Sequence, residues 1–108
     1  MDKKLFDKYR DDFNRDGFVM MKDAISKTQL EAMRSTLNYW VDDSRNFSGN
    51  FGEQMDGRPR FDVEPNTHSK SNPALRRVAS PIEVSDTYLD VTRDNAALDL
   101  IAHIFNPN

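Results

Sequence analysis

Two histidines, His68 and His103, and no cysteine occur in the 108 residues. Any metal centre would therefore have to be built from imidazole and carboxylate groups, and a nucleophile from a Ser or Thr hydroxyl. Asp99 and His103 are four apart, a spacing that places two ligands on one helix face. On the helix expected there they fall on the polar side, opposite Ile101 and Phe105. His103 also sits in the last turn, where positive charge is favoured by the helix dipole, so a solvated helix end is the simpler reading. His68, followed by Ser69 and Lys70, lies in a polar loop. There is no His-x-Asp pair, no Gly-x-Ser-x-Gly elbow and no glycine-rich phosphate loop. The residues themselves give no catalytic set and no metal ligands.

Two further constellations carry charge. Asp62 and Glu64 share a face of the strand expected at 60–64 and could hold a cation or act as paired carboxylates. Arg60 on the same face more simply neutralises them at the surface. Arg76-Arg77 is a basic pair too small for a nucleic-acid patch.

The elements that must position these residues follow from pattern. A helix is expected over 2–16, with Leu5, Phe6, Tyr9 and Phe13 on one face and a stop at Gly17, suited to a left-handed position just past a helix end. The apolar run 18–21 is too short for a helix and fits a strand covered on both faces. Ser26 and Gln29 form a capping box for a second helix over 27–44. That helix gathers Leu30, Met33, Leu37, Trp40 and Val41 on its apolar side, with Trp40 as a core anchor. A long loop spans 45–74; its Phe47, Phe51 and Phe61 need a surface to cover. Within it, strict alternation between two prolines predicts a short edge strand at 60–64. An extended segment follows at 75–80, with Leu75, Arg77 and Ala79 on one face and Arg76 and Val78 on the other. Helices fill 86–105, capped by Ser85 and then by Asp94, the last presenting Leu98, Ile101, Ile104 and Phe105. The fold class is α+β, mainly helical, with a few short strands in a single domain or partial domain, 1–108.

Charged residues make up 31% and hydrophobic ones 37% of the chain, which leaves little apolar material for a core. A net charge of −3 gives no general pull toward nucleic acid or anionic membranes. The N-terminus lacks the apolar core of a signal peptide, and no apolar run could span a bilayer. A cytoplasmic location is the default, and the Asn46-Phe-Ser48 sequon is a chance match.

The order of these pieces resembles the N-terminal region of the phytanoyl-CoA dioxygenase family, Fe(II)- and 2-oxoglutarate-dependent oxygenases. The residues that carry the resemblance are Asp16-Gly-Phe-Val19 with Lys22-Asp23, the capped helix from Ser26 to Leu37, and Phe61-Asp-Val-Glu-Pro65. Leu75-Arg-Arg-Val78 with Ser80-Pro81 and the ending Ile104-Phe-Asn-Pro-Asn108 complete them. The family often has glycine where Asn106 stands. The resemblance spans essentially the whole chain through the order and spacing of individually weak motifs. It implies the helical front layer of a double-stranded β-helix oxygenase, with the barrel, its His-x-Asp…His iron ligands and most of the 2-oxoglutarate site lying after the chain. Arg77 matches the basic residue that the family can place near 2-oxoglutarate. No cofactor is expected on this chain alone; Fe(II) and 2-oxoglutarate are implied for a complete member.

Two functions are consistent with this reading. One is a portion of an oxygenase, inactive by itself, whose partner is the missing barrel or a second copy. The other is a free-standing, non-catalytic helical domain that binds a protein partner.

Overall fold

A computed structural model describes residues 2–106. The described chain is mainly helical with one small antiparallel sheet, an α+β arrangement: α1 (Lys3–Asp16), α2 (Lys27–Asp43), β1 (Phe61–Val63), β2 (Leu75–Val78), α3 (Asp86–Arg93) and α4 (Ala96–Phe105). Short 3-10 turns at Ser44–Asn46 and Pro81–Glu83 extend α2 and lead into α3. Among the described residues no helix is long and apolar enough to cross a membrane.

Helix starts follow local chemistry. Asp2 accepts from the Leu5 N–H, Ser85 from Tyr88, and Ser26 and Gln29 exchange both bonds of the capping box. The last cap is Asn95 rather than Asp94: Asn95 accepts from Leu98, while Asp94 ends α3 and gives its carbonyl to the Gln29 side chain. Two good capping residues stand side by side, and this tertiary bond separates their roles.

Gly17 closes α1 at φ 82°, its N–H returning to the Phe13 carbonyl. Nothing lies within 4 Å of the position a Cβ would take, so a substitution there meets backbone strain alone. Gly17→Val is expected to cost about 1–2 kcal/mol, checked by the denaturation midpoints of the two proteins. Equal midpoints would mean that the left-handed turn is not held in solution.

The strand expected at 18–21 does not form. Phe18–Met21 has no backbone hydrogen bond to another segment, and Met20 is 84% exposed. A strand needs a neighbour to satisfy its amides, and among the described residues no edge reaches it.

The 45–74 connection is more ordered than its composition suggests. Phe51 and Phe61 exchange both backbone bonds, Arg60 donates to Gly52, and Gln54, Gly57 and Arg58 close the intervening turn. β1 therefore has a partner on each side, Phe51 and β2, and is not an edge. Gly52 is needed where the two arms cross: at φ 72°, a Cβ there would meet Arg60 and Phe61 at 3.0 Å.

β1 and β2 pair antiparallel, Phe61 with Val78, Asp62 with Arg77, and Val63 with Leu75, with a bulge between Asp62 and Val63. The core is small. Phe6, Trp40, Val63, Val91 and Leu100 are its buried apolar side chains among the described residues. Trp40 lies between Tyr88 of α3 and Phe61 of β1, and the row of rings continues through Phe51 to Phe47. Tyr88 also donates its hydroxyl to the Met33 carbonyl, pinning α3 to α2. At the other end, α1 meets α4 through Phe6 with His103 and Phe13 with Phe105. The radius of gyration is 18.2 Å, where a compact domain of this length has about 13 Å.

Candidate functional site

The bulge decides which charges meet. It gives Asp62 two neighbours from β2 where regular pairing would give one. Arg77 hydrogen-bonds the Asp62 carboxylate, and Arg76 stands 3.9 Å from both Asp62 and Glu64. Asp62 itself is buried, 4% exposed, and a buried carboxylate requires such partners.

Arg60 does not neutralise this face, contrary to the sequence expectation. It is 7% exposed and turns the other way, donating to the Ala79 and Ser80 carbonyls and to Glu83 at 2.7 Å. Its Nε makes no hydrogen bond. Ser80, held at φ 46°, presents its carbonyl to this guanidinium, so Arg60 fixes the turn that carries the chain from β2 into α3. No signal in the pattern distinguishes an inward from an outward arginine at that position, because the decision rests on Glu83, 23 residues away.

The result is an open polar cleft of about 530 Å³ beside the hairpin, lined by Asn50, Gln54, Arg58, Arg76 and Arg77 with Asp62 beneath. Arg58 is paired with Asp56 at 2.7 Å, and this pairing holds the Asp56 carboxyl below the usual carboxylate range. Arg77 thus presents a guanidinium oriented from behind by a buried carboxylate, an arrangement suited to gripping a second carboxylate with its remaining N–H groups.

The two histidines do other work. His103 is no solvated helix end: its side chain is 9% exposed and its Nε2 donates to Asp7 Oδ1 at 2.7 Å, with the ring edge against Phe6. The apolar face expected from Leu98, Ile101, Ile104 and Phe105 is rotated accordingly. His103 turns inward toward α1 and Leu100 is buried, while Leu98, Ile101 and Phe105 are exposed, Phe105 with its ring edge near Phe13 of α1. His68 has both ring nitrogens occupied by backbone groups of the loop. Asp99 is exposed and does not join His103. No group of three or more His, Asp or Glu side chains that could hold a metal ion converges among the described residues.

The hydrogen bond from His103 holds the Asp7 carboxyl below its ordinary value, with Lys3 and Arg10 adding to the effect. A carboxylate depressed in the folded state stabilises fully above its unfolded value, about 3.9. That contribution is lost as pH falls through the lower folded value. His103→Ala should return the Asp7 titration toward the ordinary value, read by carboxyl carbon shifts. An unmoved titration would mean that the α1–α4 bond does not persist in solution.

No protein-family model, no curated protein and no solved structure matches this chain.

Proposed function

We propose that the chain is the N-terminal portion of a phytanoyl-CoA dioxygenase-like oxygenase, in which Fe(II) and 2-oxoglutarate hydroxylate a small organic substrate in the complete enzyme. The observation that carries this reading is an open architecture whose helices keep apolar faces without a partner. Leu30, Leu37 and Ile101 are exposed on elements that are otherwise regular and capped, as they would be on a helical layer that packs against a separate sheet. The apolar segment 18–21, with no strand beside it, is of the same kind.

Within this reading the chain contributes no iron ligand and is inactive alone. Its own part is structural and electrostatic. The hairpin holds Arg77 at the polar cleft, Asp62 orients it, and the guanidinium is available to one carboxylate of 2-oxoglutarate when that group is bound. Iron supplies the oxidative chemistry, from residues that lie elsewhere.

The second reading is a free-standing helical domain that binds a protein partner. Its support is that every α-helix is capped from within the chain, at Asp2, Ser26, Ser85 and Asn95, so helix formation does not wait on another body. The coding sequence past the Asn108 codon separates the two. An in-frame His-x-Asp pair followed by a distant His is the expected result. A stop codon followed by unrelated genes overturns the oxygenase reading in favour of the second.

A further inference from the structure

We infer that His68 is an acid-sensitive latch on the segment between α2 and β2. The imidazole sits where three stretches of backbone meet. Its Nδ1 accepts from the Ala74 N–H at 2.9 Å, just before β2. Its Nε2 lies 3.0 Å from the Ser44 carbonyl and 2.8 Å from the Phe47 carbonyl, at the end of α2. A carbonyl only accepts and a backbone N–H only donates, so the ring is the neutral tautomer with its proton on Nε2. One half-buried side chain thus ties the end of α2 to the entry of β2, and with it the hairpin that carries Arg76 and Arg77.

Protonation cannot be accommodated in this position. The second proton would go on Nδ1, where it faces the Ala74 N–H, and an accepted hydrogen bond becomes two opposed donors. All three ring partners are backbone groups, so the conflict is relieved only when the His68 ring leaves or the backbone moves. Charged side chains on the segments that meet at the ring are Asp42, Asp43 and Arg45 from α2 and the turn after it, Glu64 and Lys70 from the His68 turn, and Arg76 beyond Ala74. None of them hydrogen-bonds the ring. Arg45 is itself engaged with Asp42 and with the Lys70 carbonyl, so a cation already bridges the same two segments. The sign follows directly. The folded loop binds the neutral ring, so the latch is favoured at higher pH and is weakened as pH falls. The His103 contact has the opposite character, because that ring faces a carboxylate and not an N–H.

The test is residue-resolved amide exchange and imidazole nitrogen NMR on the whole chain. Nitrogen shifts at neutral pH should report the Nε2–H tautomer for His68. Protection of the Ala74 amide, corrected for intrinsic exchange, should fall about tenfold between about pH 7.5 and about pH 5.5. In His68→Gln, where the amide can still accept and donate but does not titrate, that fall should disappear. The Nδ1–H tautomer, unchanged Ala74 protection, or the same pH dependence in His68→Gln would each overturn the latch. If the variant does not fold, the wild-type data decide. Ala74 opening must then follow the His68 ring titration and not that of His103.

Discussion

Trp40→Ala should destabilise the chain by about 3–5 kcal/mol, the range for emptying a fully packed aromatic site, and so remove a large part of the ~5–15 kcal/mol that holds a typical domain. The reason lies in how few apolar side chains are buried. Trp40 is one of five among the described residues, at 6% exposure, and it joins three elements. Its ring stacks on Tyr88 at 5.2 Å and meets the edge of Phe61 at 5.9 Å, joining α2, α3 and the sheet. Phe61 in turn stacks on Phe51 at 4.7 Å, and Phe51 on Phe47 at 4.0 Å. Removing the indole takes away the ring that Tyr88 and Phe61 both pack on. Far-UV circular dichroism against denaturant measures the loss, and Trp40→Phe should recover most of it by keeping a ring in the site. A Trp40→Ala midpoint within a few tenths molar of wild type would show that the α2–α3–hairpin unit is not held through this residue.

What was legible in the chain is what local chemistry decides. Gly17, the Ser26–Gln29 box and the Ser85 cap each act over four residues or fewer, so type and spacing are enough to place them. The same holds for Phe61–Val63, where strict alternation marks a half-buried strand, and for Trp40 as an anchor on the apolar side of α2. What was not legible depends on partners far away in the chain. The direction of Arg60 is set by Glu83 and two carbonyls beyond β2. The approach of Arg76 to Asp62 and Glu64 beside the Asp62–Arg77 pair follows a bulge, and a period-two pattern contains no information about bulges. The buried side of α4 is another case, because Leu98, Leu100, Ile101, Ile104 and Phe105 make that helix apolar over most of its circumference. Packing on α1 through Phe6 and Asp7, some 96 residues distant, selects the Leu100–His103 side. Segment 18–21 fails for the same reason in reverse: its composition suits a strand, but pairing is a property of two segments.

The isolated chain is expected to self-associate, bind a hydrophobic dye and melt with low cooperativity. An extended molecule of 52 × 29 × 25 Å with so small a core cannot cover its own apolar surface. Folding must offset roughly 1–2 kcal/mol of backbone entropy per residue, and small chains bury only a modest share of their surface. The uncovered side chains are large: Phe18 and Phe105 are 63% and 75% exposed, and Ile101 is 50% exposed. Ile101 and Phe105 are four apart on α4 and so lie on one face, and Phe105 stays largely uncovered although it meets the edge of Phe13 on α1. Contiguous apolar surface of this kind draws a partner or promotes association. Sedimentation, dye fluorescence and a thermal scan read the three consequences together. The double variant Ile101→Lys with Phe105→Lys locates the cause, since it should reduce association and dye binding while leaving helix content intact. A wild-type monomer without dye binding and with a sharp transition would instead mean that the helices close on one another in solution. That outcome would count against an oxygenase portion and favour the free-standing domain.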